Sequence, residues 1–254
     1  MRNIIAWHKK GLKRLAEYYL YKGNCFEWLN ELADNSIDLV LTDPPYEHVT
    51  GGMKSKVHNN GTFSAKSYVN AKMSQFKHDD VFRFLDLVIP KMKKVNMFCF
   101  CSRLQLASYF DYLNQHKKLK FDLLIWDKSS AEGRYGMKSS KFFSQDIEYI
   151  VRIYQSGVSL NKVWNDEHTH AVSQLYMKRQ KFPQPHGLHE SMKPVELLRQ
   201  YIELATPANG VVLDPFMGSG STGVAALELG RRFVVIEVNE KYYHIAQQRL
   251  AELG

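Results

Sequence analysis

The stretch VLDPFMGSGSTG, residues 212–223, decides the fold of this chain. It begins in an apolar run that predicts a β-strand, and it continues into GVAALELG (223–230), which predicts a helix. A glycine-rich turn between a strand and a helix is where many α/β proteins bind a nucleotide or a phosphate, because the N–H groups at the helix start point at the ligand. The glycines also satisfy G-x-G-x-x-G, a pattern too common to identify a ligand by itself.

The residues around this turn narrow the class of ligand. No lysine follows the glycines, which excludes the phosphate-binding loop of nucleoside triphosphatases. Asp214 lies just before the turn, where its carboxylate would repel a pyrophosphate and attract a cation. Glu237 ends the next predicted strand, where a carboxylate can accept hydrogen bonds from a ribose diol. S-adenosylmethionine has a ribose, a positive charge and no phosphate, so it is the cofactor that this stretch predicts.

Strand-like and helix-like segments alternate along the rest of the chain. The alternation predicts one α/β domain over residues 1–254, with a mostly parallel sheet and helices on both faces. The alternating pattern at 146–154 favours an antiparallel strand at a sheet edge. Strands are predicted at 18–22, 36–42, 95–101, 120–126, 146–154, 210–215 and 232–238, and helices at 25–33, 79–94, 103–118, 193–206, 223–230 and 240–253.

Charge and composition favour an intracellular protein that binds a polyanion. The net charge is +8, and residues 47–186 hold 22 Lys and Arg against 12 Asp and Glu. Phosphate contacts supply most of the affinity of non-specific nucleic-acid binding, although a solvated, lysine-rich surface fits the same numbers. Three cysteines cannot form a disulfide framework, and no apolar run is long enough to span a membrane. We expect a cytoplasmic protein with no membrane partner.

A second stretch, TDPPYEH (42–48), follows the strand predicted at 36–42. Its two prolines fix the backbone and remove two amide donors, which leaves carbonyl oxygens as acceptors. Asp43 adds a carboxylate and Tyr46 adds a flat ring. Acceptors beside an aromatic ring suit a planar base with an exocyclic amino group, and the end of a parallel strand is where α/β ligand sites form.

Together these motifs resemble the DNA amino-methyltransferases of the permuted β class. The resemblance rests on DPPY (43–46), HESMKPVELL (189–198) and the stretch 213–250, in that order, and more loosely on LLIWDK (123–128) and DIEYIVRIY (146–154). It implies a Rossmann-like S-adenosylmethionine-dependent methyltransferase fold that is circularly permuted. The chain would start at what is elsewhere the third strand, so the C-terminal strands would lie beside the strand at 18–22.

The resemblance also implies which residues bind the cofactor. They are Asp214, Phe216, Gly218, Ser219 and Gly220 along the methionine and ribose, Ser221, Thr222 and Lys193 at the methionine carboxylate, Glu237 at the ribose hydroxyls, and Asn24 and Cys25 at the adenine. Asp43, which also belongs to the catalytic motif, is expected to contact the cofactor as well. Asn24 stands where the family has an aspartate, a change that bears on cofactor affinity rather than cofactor identity. His189 departs from the family's usual His-Pro, and we interpret it as structural.

The catalytic motif implied by the resemblance is Asp43, Pro44, Pro45 and Tyr46. It indicates methyl transfer to the exocyclic N6 of an adenine flipped out of DNA, without a metal. Cytosine-N4 methylation is the nearest alternative, although those enzymes more often have serine before Pro-Pro-Tyr. Methylation of RNA or of a protein glutamine is a further alternative. A third alternative is a non-catalytic relative that binds nucleic acid. It is favoured by Asn24 and by HES (189–191), which departs from the family's usual His-Pro.

Two long segments lack a clear period and are predicted to contact the substrate. Residues 47–78 are expected to form a mobile loop that contributes to catalysis and DNA contact, and residues 155–188 a target-recognition insertion. DNA is therefore the predicted partner of the basic region. A homodimer and a cognate restriction enzyme are two further partners that the sequence allows.

Overall fold

The computed structural model describes residues 18–46, 56–57, 63–64, 76–128, 147–161, 178–182 and 192–253. Its strands are β1 (Tyr18–Lys22), β2 (Leu39–Thr42), β3 (Lys56–Val57), β4 (Phe63–Ser64), β5 (Asn96–Cys101), β6 (Leu119–Asp127), β7 (Ile147–Gln155), β8 (Arg179–Lys181), β9 (Val211–Asp214) and β10 (Arg232–Glu237). Its helices are α1 (Cys25–Glu31), α2 (His78–Val88), α3 (Leu106–Gln115), α4 (Val195–Ala205), α5 (Ser221–Glu228) and α6 (Glu240–Ala251), with a 3-10 turn at Ile89–Lys91. Every predicted strand and helix is present, and the short strands β3, β4 and β8 are additional.

Eight strands form one sheet in the order β1-β10-β9-β2-β5-β7-β6-β8. Neighbouring strands are parallel except at β5–β7 and β6–β7, so β7 alone runs against the other strands of this sheet. This mostly parallel sheet confirms the predicted fold class. The predicted edge position of the antiparallel strand is wrong. β7 instead lies between β5 and β6 and pairs with both. Its central residues, Ile150 to Ile153, are all buried, which suits a strand inside the sheet rather than one at its edge.

The first and last described strands, β1 and β10, meet in the sheet as the permutation predicts, whereas β9 lies one strand further in. Tyr18 to Lys22 pair in parallel with Phe233 to Glu237, and β10 pairs in turn with β9. Strand β9 also pairs with β2, which joins the glycine-loop strand to the strand that precedes DPPY. The two motifs therefore leave adjacent strands, although they lie far apart in the sequence.

Alternate residues of the central strands pack on opposite faces of the sheet. In β2, Val40 belongs to the core beneath α1, α2 and α3, whereas Leu39 and Leu41 belong to the core beneath α4, α5 and α6. In β5, Met97 packs in the core beneath α1, α2 and α3, and Phe98 packs in the core beneath α4, α5 and α6. Both faces of these strands are apolar because helices cover both, as a parallel sheet requires.

The carboxyl ends of the parallel strands collect polar residues at one edge of the sheet. Asn24, Asp43, Asp214 and Glu237 end or follow β1, β2, β9 and β10. Because β7 runs the other way, its beginning lies at the same edge, and it brings Glu148 there. Ligand sites of α/β proteins form at this edge.

Most of the two segments predicted to contact DNA lies outside the described residues. Within residues 47–78, the described parts are the antiparallel pair β3–β4 and residues 76–78. Within residues 155–188, they are 155–161 and 178–182. None of the helices in the described ranges is both long enough and apolar enough to cross a membrane.

The KRQK stretch at 178–181 is part of the sheet. It forms β8, which pairs in parallel with β6. Lys178 lies 3.0 Å from Asp122, and Arg179 lies 2.8 Å from Asp127. Carboxylates therefore compensate two cations of the segment predicted to be the target-recognition insertion.

We expect Gly223→Ala to destabilise the fold. A Cβ at Gly223 would lie 2.6 Å from Phe233 Cε2 and 3.0 Å from Leu250 Cδ2. Both neighbours are buried, and Phe233 stacks on Tyr18 at a centroid distance of 5.0 Å, so the ring has little room to move. Overpacking costs about 1–3 kcal/mol, which exceeds the roughly 1 kcal/mol that alanine gains over glycine in a helix.

Urea denaturation would measure this loss of stability. Gly230→Asn is a suitable control, because Gly230 has φ +63° and nothing within 4 Å of its Cβ position, and asparagine tolerates that conformation. Gly223→Ala should unfold at a clearly lower urea concentration than the control, and equal midpoints would contradict the packing argument.

Candidate active site

The glycine loop joins β9 to α5 in the conformation that its sequence predicts. Gly218 and Gly220 have φ values of +55° and +85°, a region that side-chain-bearing residues rarely adopt. Gly220 also packs against α6, since a Cβ there would lie 3.0 Å from Ala246 Cβ. Ser221 begins α5, so its N–H and that of Thr222 lie in the first turn, where a helix leaves donors unpaired.

Asp214 is buried at the entrance to this loop. Its Oδ1 accepts a hydrogen bond from the Thr42 hydroxyl at 2.7 Å and one from the Phe216 N–H at 3.1 Å. Burial raises the pKa of Asp214 to about 6, although the hydrogen bonds from Thr42 and Thr222 oppose the shift. The carboxylate is therefore mainly ionised at neutral pH and presents a fixed negative charge to the loop.

Glu237 ties the end of β10 to the glycine loop. Its Oε2 accepts a hydrogen bond from Gly218 N–H at 2.8 Å, and its Oε1 accepts one from Asn239 N–H at 2.7 Å. Burial raises the pKa of Glu237, while those backbone donors lower it. Each carboxylate oxygen can accept a second hydrogen bond, so Glu237 can still bind a ribose diol.

The turn after β1 forms another side of this region. Asn24 caps α1, and its side-chain oxygen accepts a hydrogen bond from Phe26 N–H at 2.9 Å. Burial raises the pKa of Cys25 to about 12, so this thiol is neutral and belongs to an apolar wall. Phe216 packs edge-on against Phe76 at a centroid distance of 5.3 Å. Asn24 therefore supplies the helix cap at the position where the resemblance leads us to expect an aspartate.

Arg249 braces the loop from helix α6, a contact that the sequence did not reveal. Its Nη1 donates a hydrogen bond to the Ser219 carbonyl at 2.6 Å and lies 3.3 Å from the Ser219 hydroxyl and 3.4 Å from that of Ser221. Burial lowers the pKa of this guanidinium, with Glu252 opposing the shift. The guanidinium thus holds the loop carbonyl in place.

These groups fit S-adenosylmethionine by their chemistry. Ser221 and Thr222 offer helix N–H groups to a carboxylate, Glu237 offers acceptors to a ribose, and Asp214 offers a negative charge to a cation. Asp43 and Lys193 lie together at the DPPY motif. The other predicted cofactor residues lie in the glycine loop, at its entrance, and at the ends of β1 and β10. Their individual roles toward the cofactor stay predictions.

The DPPY motif lies at the end of β2, beside the glycine loop. Gln105, which is buried in the fold, donates hydrogen bonds to the carbonyls of Pro45 at 3.0 Å and Phe76 at 3.1 Å. Pro45 is therefore anchored through its carbonyl. The Oδ1 atom of Asp43 is buried and has no hydrogen-bond partner among the described residues. An acceptor in that state can take a donor from an entering group.

Lys193 lies at the catalytic motif, although we expected it at the methionine carboxylate. Its ammonium is 2.5 Å from Asp43 Oδ2 and 3.3 Å from Glu148 Oε2. A buried ammonium requires anionic partners, and these two carboxylates supply them. Glu148 also accepts a hydrogen bond from the Tyr46 hydroxyl at 2.9 Å and lies 3.1 Å from Lys128.

Asp43, Glu148, Lys128 and Lys193 form one charged cluster. Within it, the pKa values of Asp43, Glu148 and Lys193 are shifted. Burial raises the pKa of Asp43, although Lys193 lowers it. Burial alone would also raise the pKa of Glu148, but the ammonium groups of Lys193 and Lys128 bring it below its ordinary value. Burial alone would lower the pKa of Lys193, but Asp43 and Glu148 raise it.

Sequence reasoning did not identify Glu148 and Lys128 as parts of the site. Both lie in stretches quoted for the family resemblance, LLIWDK and DIEYIVRIY. The direction of the strand at 146–154 could have indicated Glu148. A strand antiparallel to its neighbours begins at the sheet edge where those neighbours end, so its first residues lie beside the site. Trp126, by contrast, is fully buried in the core of the fold.

We expect Asp214→Asn to stabilise the fold above about pH 6. The folded protein binds the proton on Asp214 more tightly than the unfolded chain, where an aspartate titrates near ~3.9. Stability therefore falls as the pH rises from about 4 to about 6, and asparagine removes this penalty of at most about 3 kcal/mol. Urea denaturation at about pH 4.5 and about pH 8 tests this. A stability difference that does not grow with pH would contradict it.

Comparisons with known proteins agree with this geometry. A sequence profile of the DNA methylase family matches residues 37–248. The type II methyltransferase M.HinfI of Haemophilus influenzae is 29% identical over 257 residues, which cover 92% of this chain and 68% of that protein. The type II methyltransferase M1.MboII of Moraxella bovis is 24% identical over 266 residues, which cover 92% of this chain and 96% of that protein.

Solved structures share the fold. The M1.HpyAVI–SAM complex has a TM-score of 0.63 and 24% identity, covering 92% of this chain and 100% of that one. The cytosine-N4-specific PvuII DNA methyltransferase has a TM-score of 0.62 and 15% identity, covering 94% and 91%. The family uses S-adenosylmethionine, which confirms the predicted cofactor. Because the profile matches far more than half of its residues, the chain belongs to the DNA methylase family.

Proposed function

We propose that this chain transfers a methyl group from S-adenosylmethionine to the exocyclic N6 of adenine in DNA. The observation that carries the proposal is the carboxylate of Asp43, which follows β2 and has a buried oxygen without a partner among the described residues. A buried acceptor that lacks a donor destabilises the fold. An amino group that enters the site would supply that donor, which suits an exocyclic NH₂ as the substrate.

The residues of the motif would activate this amino group by accepting its two N–H groups. The lone pair of an exocyclic nitrogen is delocalised into the ring, which makes the nitrogen a weak nucleophile. Hydrogen bonds to Asp43 Oδ1 and to the Pro44 carbonyl would localise the lone pair. The Pro45 carbonyl already accepts from Gln105, which favours Pro44 as the second acceptor. Once the nitrogen has become cationic, Asp43 is also the nearest base for its proton.

When bound, the cofactor supplies a methyl group on a positively charged sulfur. The chain's contribution is positioning and electrostatics. The target base has to leave the helical stack to reach a buried carboxylate, and the ring of Tyr46 would stack on it. The hydrogen bond from the Tyr46 hydroxyl to Glu148 restrains that ring before the base arrives.

DNA as the substrate is supported by family and by charge. The chain belongs to the DNA methylase family. Its basic excess lies in residues 47–186, between the DPPY motif and the C-terminal cofactor motifs. A cationic region beside the catalytic motif would bind the phosphates that flank the target base. We propose that residues 47–78 and 155–188 carry these contacts.

Cytosine-N4 transfer is the alternative, and the fold alone does not choose between the two bases. The PvuII enzyme, which is cytosine-N4-specific, has the same fold. The choice of adenine follows from Asp43, because the resemblance associates serine before Pro-Pro-Tyr with cytosine and aspartate with adenine.

We expect Asp43→Asn to abolish most methyl transfer. The change keeps the shape of the side chain but removes the charged acceptor, and loss of one preorganised electrostatic contact costs about 10²–10³-fold in rate. The substrate would be genomic DNA amplified in vitro, which carries no modified bases. Transfer of labelled methyl groups gives the rate, and nucleoside mass spectrometry identifies the product, expected to be N6-methyladenine.

Asp34→Ala is a control for this experiment, because Asp34 forms an exposed ion pair with Lys91. It should keep the parent's rate, and Asp43→Asn should keep within a few-fold the parent's affinity for S-adenosylhomocysteine, which has no charge on sulfur. N4-methylcytosine as the product would refute the choice of adenine. An unchanged rate for Asp43→Asn would refute the role of the carboxylate.

A further inference from the structure

The carboxylate of Glu148 lies next to the catalytic motif, yet it takes no part in the chemical step of the proposed methyl transfer. Its Oε2 accepts the hydrogen bond from Tyr46 at 2.9 Å and lies 3.3 Å from the Lys193 ammonium. Its Oε1 lies 3.1 Å from the Lys128 ammonium, and its side chain is 17% exposed. Three polar partners on one shielded carboxylate indicate a role in the site.

The backbone holds Glu148 firmly in this position. It is the second residue of β7 and pairs with Trp126 in β6. The next residue, Tyr149, pairs with Cys101 in β5, so β7 is hydrogen-bonded on both sides here. Tyr46 follows β2, and Lys193 precedes α4. Glu148 thus connects two functional side chains that separate elements bring to the site.

Asp43 and Glu148 share the ammonium of Lys193. The ammonium contacts Oδ2 of Asp43, and Glu148 contacts it from another side. Oδ1 of Asp43 therefore stays without a partner among the described residues, available to an incoming amino group. If Glu148 carried no charge, the ammonium of Lys193 would act more strongly on Asp43, and Asp43 would be a weaker acceptor for the substrate.

Counted over the residues that the structure describes, the charges of this cluster also balance. Two carboxylates, Asp43 and Glu148, face two ammonium groups, Lys128 and Lys193. Without the charge of Glu148, the ionised cluster would carry one excess positive charge where a sulfonium cofactor has to approach an amine. At an effective dielectric constant of about 20, one charge roughly 10 Å away changes an affinity by about tenfold.

We propose that Glu148 is a positioning residue that orients Tyr46, shares Lys193 with Asp43 and prevents an excess positive charge in this cluster from opposing a cationic methyl donor. The proposal rests on the proposed function only in that Asp43 accepts the target amino group. It holds equally for adenine and for cytosine.

Calorimetry with two ligands separates this role from a merely structural one. S-adenosylmethionine and S-adenosylhomocysteine differ by the methyl group and the positive charge on sulfur. Glu148→Gln keeps the side-chain shape and an acceptor for Tyr46 but removes the charge. We expect the Kd of S-adenosylmethionine to rise about tenfold relative to that of S-adenosylhomocysteine. Lys128→Gln removes a positive charge from the same cluster, so it should shift this ratio the opposite way.

Asp122→Asn is the matched control, because Asp122 pairs with Arg152 and Lys178 outside the cluster. It should leave the ratio of the two Kd values within about twofold of the parent's, well below the shift expected for a charge in the cluster. The proposal is overturned if the ratio is unchanged in Glu148→Gln and Lys128→Gln, or moves the same way in both. If Glu148→Gln does not fold, Lys128→Gln alone tests the proposal. A fall in the Kd of S-adenosylmethionine relative to that of S-adenosylhomocysteine supports it, and any other result overturns it. This measurement needs no DNA, so a product other than N6-methyladenine would refute the proposed function without deciding this inference.

Discussion

Parallel hydrogen bonding between neighbouring strands is the constraint on which the site depends. Because β1, β10, β9, β2 and β5 run the same way, their carboxyl ends share one edge of the sheet. Residues as distant in sequence as Asn24 and Glu237 therefore lie on one side of the domain. The reversed strand β7 adds its beginning to the same edge, and with it the carboxylate of Glu148. Helices cover both faces of the sheet, which leaves this edge for polar side chains.

The parts of the site that follow directly from a strand could be predicted from the sequence. Asp43, Asp214 and Glu237 each end or follow a predicted strand, and parallel pairing then determines where they lie. The partners of Lys193 could not be predicted in this way, because they depend on how the segment before α4 lies across the sheet. The same holds for Arg249, since the helical pattern of α6 does not show which loop its side chain reaches.

Function and stability oppose each other at this edge. Asp214 is buried with a raised pKa, and the cluster around Lys193 removes four charged groups from bulk water. Buried ion pairs recover their desolvation energy only in part, so apolar residues of similar size would give a more stable protein. Such a protein would lack the buried acceptor of Asp43 and the paired charges around it. The remaining core, apolar on both faces of the sheet, supplies the stability that this edge lacks.

The pairing of β1 with β10 has a consequence for the order in which the site forms during synthesis. Tyr18 pairs with Phe233, so β1 has no neighbour in the sheet until β10 has been synthesised. The ribosome releases the DPPY segment early, whereas the glycine loop, Glu237 and Arg249 follow much later. The nascent chain therefore presents the DPPY segment well before the glycine loop exists. The two motifs can meet only in a late step, when β9 joins the sheet beside β2 and β10 joins it beside β1.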